Sequence, residues 1–182
     1  TTSLNCRQTT TGISLSEELE ETSGVAISLS QPDVFWSHND DGSVLSAIDS
    51  DGKIISQMRI RPPLTDWEDI AASRCPGGGS CLYLADMGDN LERRPAGGIS
   101  IRRLEEPDLT SPNFTDNFNG RLPELDSEVF PVRLPDGPRD IEALLVLPEE
   151  EIYVITKGRN GPVTVYRYPP PLRHDTITLE LV

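Results

Sequence analysis

The sequence predicts an all-β protein, because short apolar runs alternate with clusters of Gly, Pro, Asp and Asn. Runs of this length and flanking composition are typical of strands, and no segment has a sustained apolar period of helical length. Three segments also repeat one internal order of four such runs, and they begin at ETSGVAISLS, DWEDIAAS and DIEALLVLP. Repetition of a four-stranded unit predicts the blades of a β-propeller.

The repeats predict three four-stranded antiparallel blades, about half of a six-bladed β-propeller. Ser23, Glu68 and Glu142 fall at equivalent positions, and the interval from Ser23 to Glu68 is a typical blade length. The longer interval to Glu142 includes residues 108–126, whose Pro, Asn and Asp content predicts a surface loop between the third and fourth strands of the second blade. The predicted blades cover approximately residues 19–61, 66–134 and 140–182, within a single unit of residues 1–182.

An open set of three blades would leave the apolar sides of two blades in water, which predicts a partner. The partner is either a second chain that completes the ring or a second copy in a homodimer. The alternative fold is a smaller β-sandwich, whose repeats resemble blades without forming a propeller. Trp36 and Trp67 flank predicted strands, and we expect both to be buried anchors.

The charge balance restricts the classes of partner. The chain has 30 acidic and 16 basic residues and a formal net charge of -14. This charge repels phosphate backbones and argues against nucleic acid, whereas it favours cations and cationic ligands. The sequence contains no apolar run long enough to predict a membrane span.

The cysteines indicate the redox compartment. Cys75 and Cys81 enclose only PGGGS, a turn that brings two strand ends together, so we expect a disulfide between them and an unpaired Cys6. A disulfide predicts an oxidising environment, and therefore a secreted protein that is extracellular or periplasmic. The sequon at Asn113 would accept a glycan only in a eukaryotic secretory pathway.

Acidic residues recur where the first strand of a predicted blade begins. These starts share a rim with the ends of the second strands, so residues far apart in sequence converge. Asp66 and Glu68 are two residues apart, as are Asp140 and Glu142, so each pair faces one side of an extended strand. Clustered carboxylates repel one another unless a cation neutralises them, and such oxygen ligands suit Ca²⁺. The other predicted metal ligands on this rim are Glu21, Asn39, Asp40, Asp86, Asp89 and Asn90.

Four other rim residues offer different chemistry. His38 is a candidate general base beside a metal-bound water, because imidazole titrates near neutral pH. Arg93, Arg94 and Lys157 are candidate substrate-binding residues for a phosphate or carboxylate. The alternative for this rim is that Asp, Asn and Gly in HNDDG, DMGDN and KGRNG only make turns.

Two stretches carry a family resemblance. DIEALLVLPEEEIYVITKGRNGPVTVYRYP resembles a blade of the bacterial β-propeller phytases, in which a D-x-E-G-L start recurs. DWEDIAAS with LYLADMGDN is similar to a group of secreted bacterial propellers of unassigned activity that carry D-W-E-D-I-A and G-D-N. The phytase resemblance implies that Asp140 and Glu142, and by extension Asp66 and Glu68, bind the calcium ions that hold substrate phosphates.

Two classes of function follow from this resemblance. The first is a calcium-dependent hydrolase acting on phosphoesters at the acidic rim. The second is a non-catalytic extracellular propeller in which calcium only joins the blades. A lactonase-type hydrolase is a further alternative, because propellers host several activities and the fold alone does not choose among them.

Overall fold

The computed structural model describes residues 12–111, 114 and 121–182. The elements described in these ranges make an all-β protein, with three sheets and two short 3-10 helices at Glu17–Leu19 and Pro148–Glu150. None of the helices in these described ranges has the length and apolar composition needed to cross a bilayer. The strands are β1 (Thr22–Ile27), β2 (Phe35–Asn39), β3 (Val44–Ile48), β4 (Ile54–Arg61), β5 (Asp69–Arg74), β6 (Ser80–Asp86), β7 (Ile99–Glu105), β8 (Glu124–Asp126), β9 (Glu128–Arg133), β10 (Ile141–Leu147), β11 (Glu151–Thr156), β12 (Val165–Arg167), β13 (Ile177–Thr178) and β14 (Glu180–Leu181).

Each sheet contains one predicted repeat. The first sheet has the order β1-β2-β3-β4-β8, the second β5-β6-β7-β9-β13, and the third β10-β11-β12-β14. The four strands of each repeat pair antiparallel in chain order. The first and second sheets each gain a fifth strand that pairs parallel, β8 on β4 and β13 on β9. The expectation of three purely antiparallel four-stranded units is therefore corrected at two sheet edges.

The predicted loop at residues 108–126 is not wholly irregular, because its last three residues form β8. Backbone pairing with β4 begins where Arg59 N donates to Pro123 O at 2.7 Å. The Arg61 guanidinium then contacts Glu124 at 3.0 Å and Asp126 at 2.9 Å. A three-residue strand is too short to show an alternating pattern, so the sequence contains no periodic signal for it.

The final segment TITLELV, predicted as one outer strand of the third repeat, is divided between two sheets. Ile177–Thr178 pairs with β9 of the second sheet, whereas Glu180–Leu181 pairs with β12 of the third. Leu179, between the two strands, is 2% exposed and packs in the core that these sheets share. The segment therefore ties the second sheet to the third.

The core has two layers, one on each side of the second sheet. Leu82 and Leu84 of β6 pack toward the first sheet with Trp36 and Trp67, and all four side chains are fully buried. Tyr83, between them in sequence, packs on the opposite side. Burial on both faces explains why β6 is a continuous apolar run rather than an alternating one. The prediction that both tryptophans are buried anchors is confirmed.

The predicted disulfide between Cys75 and Cys81 is confirmed. It joins the chain after β5 to the second residue of β6, and Cys75 N donates to Gly79 O at 3.2 Å across the turn. Gly78 and Gly79 have φ values of 94° and 79°, a region that favours glycine. Cys6 and Asn113, for which the sequence made predictions, lie outside the described residues.

The first strands of the three sheets lie side by side. β1, β5 and β10 are each the edge strand of their own sheet, and β5 contacts the other two. A Cβ at Gly24 would stand 2.8 Å from Ile70 N, so only glycine permits this approach. On the other side of β5, Leu144 N donates to Asp69 Oδ2 at 2.7 Å. This arrangement brings together the chain segments that enter β5 and β10.

Candidate metal centre

Three carboxylates converge where the chain enters β5 and β10. Glu68, Asp140 and Glu142 each offer one carboxylate oxygen, and these atoms all lie within 4.8 Å of one another. Backbone bonds hold the entries in place, because Glu68 N donates to Ala85 O at 3.0 Å and Lys157 N donates to Asp140 O at 2.9 Å. Glu68 is 7% exposed and Asp140 is 1% exposed, so most of the cluster is shielded from water. The cluster joins the second sheet to the third.

A fourth carboxylate lies beside this cluster because residue 88 is glycine. A Cβ at Gly88 would stand 2.5 Å from both Asp66 Cγ and Glu68 Oε1. Gly88 N also donates to Asp66 O at 2.9 Å, which fixes this close approach. Any larger side chain at residue 88 would displace the two carboxylates. The predicted ligands Asp66, Glu68, Asp140 and Glu142 therefore lie in one region.

The electrostatics of the region disfavour four ionised carboxylates. Burial is the main cause that raises the pKa of Glu68 to about 7, and the charges of Glu142, Asp66, Asp140 and Asp40 add to it. Burial also raises the pKa of Asp66, against the opposing effect of the Arg94 guanidinium. A positive charge placed among these groups would restore their ionised forms.

Two basic side chains of the β11–β12 connection contact the cluster. Lys157 Nζ donates to Glu142 Oε1 at 2.7 Å and lies 4.0 Å from Asp140 Oδ2, whereas Arg159 Nε lies 3.5 Å from the latter. The hydrogen bond to Glu142 raises the pKa of Lys157. Both side chains are partly exposed, at 44% and 42%. Lys157, predicted to bind substrate, thus lies directly beside the candidate ligands.

A second acidic group lies on the first sheet. Glu21, Asp40 and Asp41 offer carboxylate oxygens within 4.8 Å of one another, and Asp40 is near enough to Glu68 to raise its pKa. Asn39, a predicted ligand, instead supports the backbone, since its Oδ1 accepts a bond from Glu21 N at 3.3 Å. Its Nδ2 donates to Glu18 O at 2.9 Å. Asp40 and Glu21 therefore lie on the predicted rim, while Asn39 holds the turn.

Three other predicted ligands have internal partners. Asp86 is 2% exposed and forms ion pairs at both oxygens, with Arg94 at 2.9 Å and Arg102 at 3.0 Å. Asp89 N donates to Asp140 Oδ1 at 2.9 Å, and Asp89 Oδ2 accepts a bond from Arg94 N at 2.6 Å. Asn90 Oδ1 accepts a bond from Arg159 Nη2 at 2.6 Å. These contacts occupy both carboxylate oxygens of Asp86, one carboxylate oxygen of Asp89 and the amide oxygen of Asn90, and a ligand role for the three stays a prediction.

The two neighbouring arginines have different environments. Arg94 donates to Gly88 O at 2.9 Å and Gly98 O at 3.0 Å, besides its ion pair with Asp86. These bonds occupy its guanidinium and shape the wall beside Gly88. Arg93 is exposed at the rim. Of the two predicted anion-binding arginines, Arg93 is the one with no ion pair among the described residues, and its binding role stays a prediction.

His38 lies inside the protein. Its ring stacks on Trp67 with centroids 3.8 Å apart, and the residue is fully buried. Nδ1 is 2.9 Å from Asn39 O, so it carries the proton and Nε2 presents a lone pair. Burial lowers the pKa of His38 to about 4, which keeps the ring neutral at physiological pH. A general-base role stays a prediction, and the burial of His38 separates it from bulk solvent.

Sequence reasoning missed several residues that build this region. Arg102 pairs with buried Asp86, and Arg159 with buried Asp140. Gly88 leaves space for the carboxylates of Asp66 and Glu68. Arg159 lies in KGRNG beside Lys157, and Gly88 lies in DMGDN, so both were within motifs already singled out. Arg102 had no such signal, because on a strand it looks like any outward-facing residue.

The arrangement can hold a hard cation. Its donors are carboxylate oxygens, the type of ligand that Ca²⁺ and Mg²⁺ prefer. No family model matches the chain, and no curated protein matches its sequence.

Proposed function

We propose that the protein is an extracellular calcium-binding β-propeller module, in which a cation at Glu68, Asp140 and Glu142 joins two adjacent blades. The observation that carries this proposal is the convergence of three carboxylate oxygens within 4.8 Å, two of them on buried side chains. Lys157 and Arg159 pair with the cluster at its exposed side, but without a further cation Glu68 still faces like charges in a poorly solvated place. Asp66 completes the set of oxygen ligands.

The donor set fits calcium in particular. Asp140 Oδ2 is fully buried and accepts no hydrogen bond within the described part of the chain. Its nearest cationic groups, Arg159 Nε at 3.5 Å and Lys157 Nζ at 4.0 Å, do not hydrogen-bond to it, so a cation in contact with this oxygen would satisfy it. Carboxylates from two different sheets form a flexible set of oxygens, which suits Ca²⁺ better than the strict octahedron of Mg²⁺.

The propeller interpretation is supported by how the three sheets meet. Their first strands lie adjacent, and the second sheet packs on a neighbour at each face. Exposed apolar residues remain on the two outer strands of this row, with Ile27 60% and Leu145 48% exposed. A companion chain that completes the ring, or a second copy, would cover them. The disulfide supports secretion, because it is stable in oxidising compartments.

Calorimetric titration with Ca²⁺, paired with thermal melting, tests the cation site. We expect Ca²⁺ to raise the melting temperature and a chelator to lower it, because a ligand bound only to the native state stabilises it. The Glu68→Gln, Glu142→Gln double variant should lose this response. Glu180→Gln is a matched control, since it removes an exposed ion pair with Arg167 comparable to the pair that Glu142 makes with Lys157. An equal calcium response in the double variant would contradict the proposal.

A second candidate function is calcium-dependent hydrolysis of phosphoesters. It is favoured by Lys157 and Arg159, whose exposed cationic groups lie beside the cluster and can bind phosphoryl oxygens. A cation in the site would supply polarisation of the phosphoryl group and a more acidic bound water. The chain's own basic side chains would orient the substrate at the solvent side of Glu142.

The rate of p-nitrophenyl phosphate hydrolysis with and without Ca²⁺ distinguishes a calcium-dependent hydrolase from a protein in which the cation is only structural. If the enzyme interpretation holds, Lys157→Met should lower kcat/KM at least about tenfold, as expected for a lost charge-assisted hydrogen bond. The Arg167→Met variant, which alters a distant exposed pair, should retain activity. Calcium binding without hydrolysis of the phosphate ester would favour the non-catalytic module. If a lactone offered in a parallel assay were hydrolysed and the phosphate ester were not, the lactonase alternative would be favoured.

A further inference from the structure

A shallow cleft of about 460 Å³, largely open to solvent, lies beside the candidate metal centre, between the chain that enters β5 and the chain that leaves β6. Its lining includes Asp66, Gly88, Asn90, Leu91, Arg93 and Pro95. Asp66 and Gly88 belong to both the cleft and the centre, because a Cβ at Gly88 would stand 2.5 Å from Glu68 Oε1. Glu68, Asp140 and Glu142 do not line the cleft themselves, and Asp66 and Gly88 lie between it and these carboxylates.

The cleft has one available cationic group. Arg93 is exposed and has no ion-pair partner among the residues that the structure describes. Arg94, next to it, is occupied by Asp86 and by the carbonyl oxygens of Gly88 and Gly98. Arg94 thus supports the wall, while the five N–H donors of Arg93 remain available to a ligand.

The cleft also has an apolar surface. Leu91 is 70% exposed, among the highest values for large apolar residues of the described chain, and Pro95 lines the cleft with it. The loop that carries Leu91 is held at both sides, since Asn90 Oδ1 accepts a bond from Arg159 at 2.6 Å and Glu92 Oε2 accepts one from Asn160 at 2.7 Å. These bonds to the third sheet hold Leu91 in its exposed position.

We propose that this cleft binds an oxyanion that carries a small apolar substituent. The oxyanion lies between Arg93 and the cation site, and the substituent packs on Leu91 and Pro95. This inference rests on the proposed cation site, because Asp66 and Asp89 would repel an anion from a cleft without a cation. Anion binding is therefore dependent on calcium.

Calorimetric titrations with phenylphosphonate and methylphosphonate in saturating Ca²⁺ test the inference. Phosphonates lack the ester bond, so binding is measured without turnover. Phenylphosphonate should bind roughly five- to tenfold more tightly, because its ring buries apolar surface against Leu91. Arg93→Gln should weaken both ligands about tenfold through loss of charge-assisted hydrogen bonds. Leu91→Asn should remove the preference for phenylphosphonate, and it should weaken methylphosphonate far less, because the methyl group buries little apolar surface.

Two substitutions serve as matched controls. Arg59→Gln and Val163→Asn alter exposed residues outside the cleft and should leave both affinities unchanged. A separate Ca²⁺ titration of each variant shows whether the cation site is intact. The proposed anion site would be contradicted if the protein bound Ca²⁺ but had equal affinity for the two phosphonates, or if Arg93→Gln did not change these affinities. The proposed cation site would not be affected by either result. If the wild type did not bind Ca²⁺, the proposed function would be wrong. If phosphonates bound equally well in the presence of a chelator, the calcium dependence of anion binding would be wrong.

Discussion

At the residue scale, the molecule is organised around buried charge. Asp86 is paired with two arginines, so its burial is compensated. Glu68 lies against other carboxylates, and its pKa rises to about 7. The contrast indicates which acidic residues support the fold and which are available to a cation. In the sequence, DWEDIA and ADMGDN offer no means of making this distinction.

Glu68 predicts a specific pH dependence in the presence of a chelator. Its pKa is above the ordinary value of 4.5 in the native state, so the native state binds the extra proton between about 4.5 and 7. The stabilisation from that proton is complete below about 4.5 and is lost as the pH rises through about 7. Glu68→Gln mimics the protonated form. At pH 8 in chelator, the free energy of unfolding of the variant should therefore exceed that of the wild type by on the order of 1 kcal/mol.

Urea denaturation at pH 5 and pH 8 measures this difference. The free energies of unfolding of the two proteins should differ less at pH 5, because Glu68 is largely protonated there in the native wild type. The same substitution should destabilise the protein when Ca²⁺ is present, because it removes a ligand oxygen. Equal stability differences at both pH values would show that Glu68 does not titrate in this range.

At the element scale, β6 and its two neighbours form the centre of the structure. β6 is buried on both faces, and the disulfide at Cys75 and Cys81 closes its connection to β5. Its turn contains three glycines, a sequence with high conformational entropy in the unfolded chain. The disulfide therefore acts mainly by restricting a short, flexible loop.

Replacing both cysteines of the disulfide by serine should lower the free energy of unfolding by about 2 kcal/mol, the value expected for a closed loop of this size. Urea denaturation of the variant measures the loss, and reduction of the wild type should reproduce it. Thiol titration in denaturant should find one reactive group, from Cys6, before reduction. Three reactive thiols in the unreduced protein would contradict the disulfide and the secreted localisation.

At the scale of the whole molecule, three sheets stand in a row and each outer one leaves apolar residues exposed. On β1, Val25 is 59% and Ile27 60% exposed, and on β10 Leu145 is 48% exposed. Val25 and Ile27 are two residues apart on one strand and therefore form an apolar patch on one face, and such a patch typically marks a surface that packs on a neighbour. The distribution fits the proposal that further blades, from a companion chain or a second copy, belong on these sides.

Sedimentation velocity of the isolated chain tests this proposal. We expect dimers or larger species, and the Ile27→Asn, Leu145→Asn double variant should shift the population toward the monomer. Val163→Asn, which alters a 64% exposed residue in the β11–β12 connection, should not. A monodisperse wild-type monomer with a cooperative melt would instead support a self-contained sandwich.

The sequence by itself determined the strands other than β8 and the divided β13 and β14, the strand order within each repeat, and the disulfide, because these features depend on neighbours along the chain. Alternation, turn residues and the PGGGS spacing are local signals. It also predicted that Glu68, Asp140 and Glu142 converge, because the repeat places them at equivalent strand entries, while their role as metal ligands stays a prediction. Only the tertiary structure decided that Ile177–Thr178 joins the second sheet, that Arg102 and Arg94 neutralise Asp86, and that His38 is buried under Trp67. Each of these depends on a contact between distant segments, and such contacts leave no local pattern in the residues that make them.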